Sequence, residues 1–255
     1  MTDLAQLSTS GPVATLALNR ADARNSLSLD LLTALHAQLT TLESQPATTV
    51  LILPGAGKSF CAGMDLKAVA SDEGLASGLP LKLLSSLADF CLRLRRLPMI
   101  SIAKVNGAAI GGGCGMATVC DIAITHADSK MGFPEVDLGV CPAVVAPWLV
   151  RKVGAGRARQ VLLSGGILSG QRAHELGIVN HVVPTLADLD AATDQIAQRL
   201  ATGGPNAMRA TKALLNELDD SLNESLARRG AELSAQVLAT PEAQAMLRSK
   251  LGNKG

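Results

Sequence analysis

Three short segments contain residue types that could act together on one substrate. Two are glycine turns, CAGMD at residues 61–65 and GGG at residues 111–113, and the third is FPEV at residues 133–136. Glycine lets a turn bring unpaired backbone N–H groups close to a ligand. Two such groups from separate loops can bind one oxygen atom and form an oxyanion hole. The two turns therefore favour a reaction that builds negative charge on a carbonyl oxygen.

The third segment offers an acid–base group, Glu135. Its sequence neighbours Pro134 and Val136 are both apolar. Burial in such surroundings disfavours the charged carboxylate and raises its pKa toward the range in which a Glu exchanges protons near neutral pH. Taken alone, the glycine turns could be ordinary packing turns, and Glu135 could be a solvated surface charge. Only the three segments together indicate a site.

Other motifs resemble nucleotide-binding loops but are incomplete. PGAGKS at residues 54–59 lacks the first glycine of a P-loop, because Ile52 stands in that position. GGGCGM at residues 111–116 has Met116 where a dinucleotide fingerprint has Gly or Ala. The chain contains no GxSxG elbow, which counts against a hydrolase triad. A P-loop nucleotide binder remains only a third alternative.

Composition excludes several other classes of protein. The chain has 255 residues, 47% of them apolar and 18% charged, which is enough to bury a large core. The net charge of +1 and an aromatic content of 2% argue against nucleic-acid binding. Five Cys without a CxxC pair and four scattered His predict neither a metal site nor a disulfide framework. No secretory signal or membrane-spanning stretch is recognisable, so we expect a cytoplasmic protein that does not bind membranes.

The order of predicted elements indicates an α/β fold. Strands and helices interleave over residues 1–186, whereas residues 187–255 are predicted to be helical only. Residues 59–67 are predicted as a loop, and the Gly- and Ser-rich residues 71–80 as a mobile stretch. The predicted strands cover residues 13–19, 49–53, 99–105, 121–125 and 178–183, and the main predicted helices of the first part cover residues 29–44 and 81–97.

The C-terminal helices contain apolar residues at a spacing that suits one stripe. The stripe is predicted to pack on the core of the same chain, with a neighbouring subunit as the alternative. Lys212 is predicted to be a surface lysine, with contact to a coenzyme A phosphate as the alternative. The stripe consists of Leu214, Leu215, Leu218, Leu222 and Leu226.

Taken in order, four segments resemble the enoyl-CoA hydratase/isomerase (crotonase) superfamily. They read RADARNSLS, SFCAGMDL, KVNGAAIGGGCGMATVCDIAI and MGFPEVDLGVCPAVVAPW, and the resemblance extends over residues 13–181. It implies a crotonase-like spiral of ββα units followed by a C-terminal helical domain. The core with the acyl-CoA site would be residues 1–186, and residues 187–255 would form a helical trimerisation region. The resemblance also implies a homotrimer or a dimer of trimers.

The resemblance assigns roles to individual residues. The backbone N–H groups of Met64 and Gly112 would hold the thioester oxygen, and Glu135 would be the catalytic acid–base. Pro142 and Ala143 would lie in a turn that helps to hold the reacting water. No metal and no separate cofactor are expected, because coenzyme A is carried by the substrate. The coenzyme A site would be lined by Ala23, Arg24, Ala62, Asp65 and Leu66.

One departure from the family pattern leaves the reaction open. The best-known hydratases carry a second Glu in the first turn after the glycines, and Gly115 stands there in this chain. A single Glu135 can still hydrate a 2-enoyl-CoA, by passing a proton from water to carbon. It can equally move a proton between two carbons, as a double-bond isomerase does. We predict a hydratase (a lyase of fatty acid metabolism), with an isomerase or a non-catalytic acyl-CoA-binding protein as alternatives.

Overall fold

The computed structural model describes residues 3–252, with the backbone alone for residues 251 and 252. Its strands form two sheets. A six-stranded sheet has the order β1-β2-β3-β5-β7-β10 and is parallel except for the β1–β2 hairpin. A four-stranded sheet has the order β4-β6-β8-β9, in which only β9 is antiparallel. The strands are β1 Ala5–Ser10, β2 Val13–Leu18, β3 Val50–Pro54, β4 Ser59–Cys61, β5 Ile100–Val105, β6 Ala108–Ile110, β7 Ile122–His126, β8 Lys130–Gly132, β9 Ile167–Ser169 and β10 His181–Val183.

Helices follow the strand pairs and then dominate the C-terminal part. Ser28 begins the first helix, because its side chain accepts a hydrogen bond from the N–H of Leu31. The helices are α1 Leu29–Glu43, α2 Leu66–Val69, α3 Asp72–Ala76, α4 Leu79–Arg96, α5 Gly112–Val119, α6 Ala146–Val153, α7 Ala155–Ser164, α8 Gly170–Glu175, α9 Leu189–Ala201, α10 Pro205–Leu218, α11 Glu224–Leu238 and α12 Pro241–Gly252.

The chain order of the strands produces a spiral. The pairs β3–β4, β5–β6 and β7–β8 each place one strand in the large sheet and the next strand in the small sheet. Helical segments follow β4 and β6, so successive turns stack as ββα units. This arrangement places the ends of β4 and β6 side by side, with one glycine turn after each strand. The predicted α/β spiral is therefore observed.

Both faces of the large sheet are buried. Leu51 and Leu53 of β3 point into the main core, whereas Val50 and Ile52 belong to a second apolar cluster. Helix α9 covers that second face through Leu189 and other apolar residues. Burial on both faces explains why β3 is a continuous β-branched and leucine run, without the alternation of a half-exposed strand.

Several sequence-based predictions of local structure were wrong. The stretch 71–80, in which no helix was predicted, contains α3 and the start of α4, with a turn at residues 77 and 78 between them: the Ser71 side chain accepts a hydrogen bond from the N–H of Gly74 and begins α3, and α4 begins at Leu79. The predicted loop 59–67 contains β4 and the start of α2. Strands β1, β6 and β9 were missed because they are short or contain polar residues.

No helix in the part of the chain that the structure describes is long and apolar enough to span a membrane.

The C-terminal helices differ from prediction in two respects. Leu214, Leu215 and Leu218 of α10 are 54%, 52% and 74% exposed, so their packing on the core of this chain is not observed. Lys212 is buried and donates hydrogen bonds to the carbonyl of Met99 and to Asp121, each at 2.8 Å. Lys212 is therefore a structural residue that attaches α10 to the sheet. The division into residues 1–186 and 187–255 stays a prediction.

Candidate active site

A cavity lies where the two glycine turns meet α4 and the turn after Glu135. Its wall is mostly apolar. Six of the sequence-predicted site residues belong to that wall: Ala62, Met64, Leu66, Gly112, Glu135 and Pro142. The other four, Ala23, Arg24, Asp65 and Ala143, do not line it. The remaining wall residues are Gly63, Leu83, Leu84, Leu87, Ile110, Gly111, Pro134, Leu138, Val140, Cys141, Val144, Val145 and Ser234.

The first glycine turn leaves the N–H of Met64 unpaired. Leu27 forms a parallel bridge with this segment: its N–H donates to the carbonyl of Gly63 at 2.8 Å, and its carbonyl accepts from Asp65 at 3.0 Å. In a parallel bridge the central residue directs its own N–H away from the partner strand. Within residues 3–252 the N–H of Met64 has no acceptor. It is therefore available to a ligand in the cavity.

The second glycine turn leaves the N–H of Gly112 unpaired at the start of α5. Gly111 has a φ of +53° and donates its own N–H to the carbonyl of Gly132. The carbonyl of Gly111 accepts from Gly115, which closes the first helical turn. Among the described residues no acceptor is found for Gly112. The positive end of the helix dipole adds to the attraction of this N–H group for negative charge.

The two turns are in direct contact. A Cβ atom added to Gly63 would lie 2.7 Å from the carbonyl oxygen of Ile110, and one added to Gly113 would lie 2.7 Å from the Cβ of Cys61. No side chain larger than hydrogen fits at either position without displacing backbone or a buried neighbour. Glycine therefore brings two free amides from separate loops to one cavity, as an oxyanion hole requires.

Glu135 lies beside the second glycine turn. A Cβ atom added to Gly111 would lie 2.9 Å from its Oε1. Its other oxygen, Oε2, is shielded from solvent and has no hydrogen-bond partner in the described part of the chain. Burial raises the pKa of the Glu135 carboxyl to about 7. An unpartnered carboxyl with this pKa can both take and give a proton near neutral pH.

The position of a second acid is closed by Val145. A Cβ atom added to Gly115 would overlap Cγ1 of Val145 and lie 2.8 Å from its Cβ. Val145 itself is buried and forms part of the cavity wall. Val145, from the turn that follows Glu135, therefore occupies the space that a side chain at residue 115 would need.

We expect Gly115→Glu to destabilise the chain rather than to add a catalytic acid, because the buried site has no room for the side chain. The expected loss is about 2–4 kcal/mol of unfolding free energy, from overpacking and burial of an unpaired acid. Adding Val145→Gly should recover part of it. Denaturant unfolding measures both effects, and Gly156→Glu, at a helical glycine with open space around it, is the matched control. A fully stable Gly115→Glu variant would contradict this packing argument.

The predicted coenzyme A segment is attached to the first glycine turn. The carbonyl of Arg24 accepts a hydrogen bond from Ala62 at 3.0 Å, and the Arg24 side chain is exposed. Asn25 has a structural role, since its buried amide group donates to the carbonyls of residues 56 and 59. Asp65 pairs with Arg20 at 2.9 Å. The role of this segment in binding coenzyme A stays a prediction.

Sequence reasoning missed Ser234, which comes from α11 in the C-terminal part. Its buried hydroxyl donates to the carbonyl of Cys141 at 2.8 Å and accepts from the N–H of Ala143 at 3.1 Å. The amide of Ala143, which lies in the turn predicted to help hold the reacting water, is thus already paired. No local motif marks Ser234.

Comparisons with known proteins agree with this geometry. The family model for enoyl-CoA hydratase/isomerase matches residues 8–249. The chain is 36% identical to a crotonyl-CoA hydratase from Syntrophomonas wolfei, over 80% of this chain and 78% of that protein. It is 32% identical to a 2,3-dehydroadipyl-CoA hydratase from Escherichia coli, over 89% and 87%. The crystal structure of an enoyl-CoA hydratase from Mycobacterium avium superposes with a TM-score of 0.87 at 30% identity, covering 100% of this chain and 98% of that one.

A spiral of strand pairs that brings two free amides and one buried acid to a single cavity defines a protein with the crotonase fold. The chain belongs to the enoyl-CoA hydratase/isomerase family. The family and the fold predicted from sequence are confirmed, and the names of the relatives favour a hydratase. The P-loop alternative is wrong, because residues 54–59 lead into strand β4 and not into a helix.

Proposed function

We propose that the chain hydrates a 2-enoyl-CoA to a 3-hydroxyacyl-CoA, with Glu135 as the acid–base and the N–H groups of Met64 and Gly112 as the oxyanion hole. The observation that carries this proposal is the buried carboxyl of Glu135, whose Oε2 has no hydrogen-bond partner among residues 3–252 and which lies beside the glycine turn of Gly112. Two relatives are named as hydratases of an unsaturated acyl-CoA, which supports hydration over isomerisation.

The amides would stabilise the charge that forms on the thioester oxygen. When a nucleophile adds to C3 of the enoyl group, electrons move through C2 to that oxygen, and an enolate forms. Each hydrogen bond that strengthens during this step lowers the barrier, and loss of one donor in such a hole typically costs roughly 2.7–4 kcal/mol. The start of α5 adds its dipole to the donor from Gly112.

Glu135 would move the proton that hydration requires. In its ionised form the carboxylate takes a proton from water while the water oxygen bonds to C3. The protonated acid then returns that proton to C2 of the enolate, which restores the carboxylate and completes the addition of water. One residue thus performs both transfers, as the pKa of about 7 permits.

Coenzyme A would enter as part of the substrate, so the reaction needs no separate cofactor. Arg24 is exposed and directly joined to the edge of the site through its bond with Ala62, which suits contact with a coenzyme A phosphate. The chain would act as a homotrimer or a dimer of trimers in the cytoplasm. The exposed Leu214, Leu215 and Leu218 supply an apolar surface for such an assembly, and sedimentation equilibrium would reveal a monomer if this is wrong.

The test of the proposed function is a product analysis with purified protein. Crotonyl-CoA is expected to lose the absorbance of its conjugated thioester, and mass spectrometry is expected to show the gain of one water. A 3-enoyl-CoA of the same type tests the isomerase alternative, because isomerisation changes no mass. Tight binding of these thioesters with no conversion would favour the non-catalytic alternative.

The rate of hydration is expected to fall as the pH drops below about 7. Only the ionised form of Glu135 can take the proton of water, and burial raises the pKa of this group to about 7. Well below that pH, kcat/KM should decrease about tenfold per pH unit, since the ionised fraction does so. A pH profile between 5 and 9 measures this. A rate that stays constant down to pH 5 would contradict the role of Glu135 as the base.

A further inference from the structure

The reacting water needs more than one hydrogen-bond partner. A water molecule that donates both of its hydrogens directs its lone pairs away from the two acceptors, and therefore toward C3 of the substrate. Glu135 supplies one acceptor. A water held by Glu135 alone could rotate about that single bond, and such freedom lowers the fraction of time spent in a productive orientation.

Two usual sources of a second partner are closed in this chain. Residue 115 cannot carry an acid, because Val145 fills the space beside it. The amide of Ala143 donates to Ser234 and so is already paired. The polar side chains in the described cavity wall are those of Glu135, Cys141 and Ser234. The Cys141 sulfur is a weak acceptor, so among these side chains the hydroxyl of Ser234 is the one best suited to accept a second hydrogen bond.

The hydrogen bonds of Ser234 fix its hydroxyl as an acceptor. A serine hydroxyl has one hydrogen to donate and two lone pairs that accept. The hydrogen of Ser234 is directed to the carbonyl of Cys141 at 2.8 Å, and one lone pair accepts from the N–H of Ala143 at 3.1 Å. One lone pair remains. This lone pair can accept a hydrogen bond from a water molecule. It cannot bind the thioester oxygen, because that oxygen needs a hydrogen-bond donor.

We propose that Ser234 is the second acceptor for the reacting water, a role that rests on the proposed hydration. The water donates one hydrogen to Glu135 and the other to Oγ of Ser234. Its oxygen bonds to C3, the first proton moves through Glu135 to C2, and the second stays on the product hydroxyl. The C-terminal helix α11 thereby contributes a side chain to the chemistry of the core.

The substitution Ser234→Ala tests this role. We expect kcat for hydration of crotonyl-CoA to fall about 10- to 100-fold, the effect of losing one hydrogen bond in the transition state, with KM changed by less than about threefold. Ser234→Thr keeps the hydroxyl and should retain most of the rate. Ser225→Ala is the matched control, because Ser225 is an exposed serine on the same helix.

A second readout separates water binding from support of the turn. Exchange of the C2 hydrogens of butyryl-CoA in deuterated water needs Glu135 and the two amides, but no water is added to C3. We expect Ser234→Ala to exchange at about the rate of the unchanged chain while its hydration is slow. Equal losses in both reactions would show that Ser234 only supports the turn at Cys141, and would overturn the proposal. Unchanged hydration in Ser234→Ala would overturn it too.

The same measurements distinguish this inference from the proposed function. An unsubstituted chain that binds crotonyl-CoA without hydrating it would overturn the proposed function, and the inference with it. If the unsubstituted chain hydrates crotonyl-CoA and Ser234→Ala does so equally well, only the inference fails. Thermal unfolding of each variant identifies any loss of activity that comes from loss of the fold.

Discussion

Glu135→Gln is expected to lower kcat for hydration of a 2-enoyl-CoA by about 10³- to 10⁴-fold. Gln has nearly the same shape but cannot take a proton from water or return one to carbon, and proton transfer by a positioned residue contributes roughly 10²–10⁴-fold. In the proposed mechanism the thioester oxygen is bound by the backbone amides of Met64 and Gly112, which the substitution does not change. Binding of a saturated analogue, butyryl-CoA, should therefore change by less than about threefold, as measured by titration calorimetry.

The matched control is Glu232→Gln, at an exposed glutamate on α11. It should hydrate the substrate at the rate of the unsubstituted chain. A Glu135→Gln variant with normal turnover would remove Glu135 from the mechanism. A variant that loses turnover and butyryl-CoA binding together would instead indicate that the carboxyl maintains the shape of the cavity.

The same substitution should make the protein more stable at high pH. Burial raises the pKa of Glu135 from an ordinary value of 4.5 to about 7 in the folded chain. Because this pKa is higher in the folded than in the unfolded chain, the contribution of Glu135 to the unfolding free energy is fully present below pH 4.5, where the carboxyl is protonated in both states. That contribution is lost as the pH rises from 4.5 through 7. Gln has no such dependence. At pH 8 the variant should gain about 2–3 kcal/mol of unfolding free energy relative to the unsubstituted chain, and at pH 4.5 almost none.

The opposing effects on rate and stability fit a residue retained for chemistry. A buried carboxyl is costly to fold when one of its oxygens, here Oε2, has no hydrogen-bond partner in the described part of the chain, and neutral Gln would occupy the same space at lower cost. Apolar wall residues such as Leu138 and Val140 surround the Glu135 carboxyl with few polar groups. Their burial of Glu135 raises its pKa to about 7. The low polarity of the same wall would also strengthen hydrogen bonds from the two amides to a charged oxygen.

Local sequence patterns pointed to several of the residues that the structure brings together at the cavity. The glycine turns are short-range signals: Gly63 and Gly111 have a positive φ, and the close approach of the two turns leaves no room for a side chain at Gly63 or Gly113. The apolar neighbours of Glu135 made it a candidate, and the resemblance to the family implied its role as the acid–base. Features that depend on a few consecutive residues could thus be recognised before the fold was known, and the catalytic roles of these residues stay predictions.

Residues that act through distant contacts could not be predicted in this way. Ser234 reaches the cavity only because α11 packs along α4, and a serine in an amphipathic helix gives no signal of that contact. Lys212 resembles a surface lysine in sequence, yet it is buried against Asp121. The loss of an acid at residue 115 was visible in the sequence, but its cause, the side chain of Val145, appears only in three dimensions.

Gly63→Ala should test the oxyanion hole without altering any polar side chain. The φ of Gly63 is +87°, and an added Cβ atom would lie 2.7 Å from the carbonyl oxygen of Ile110, the residue before the second glycine turn. The methyl group must push the two turns apart, so the amides of Met64 and Gly112 can no longer converge on one oxygen. We expect kcat/KM for hydration to fall about 10²- to 10³-fold, the typical effect of losing one donor.

Gly78→Ala separates this effect from backbone strain. Gly78 also has a positive φ, +68°, but nothing lies within 4 Å of an added Cβ atom. Each variant should lose about 1–2 kcal/mol of stability through the left-handed conformation, Gly63→Ala should lose more because of its overlap with Ile110, and only Gly63→Ala should lose activity. Acetoacetyl-CoA gives a readout independent of turnover, since an oxyanion hole favours its enolate, which absorbs in the ultraviolet. If Gly63→Ala kept full hydration and full enolate absorbance, the two amides could not be the groups that hold the thioester oxygen.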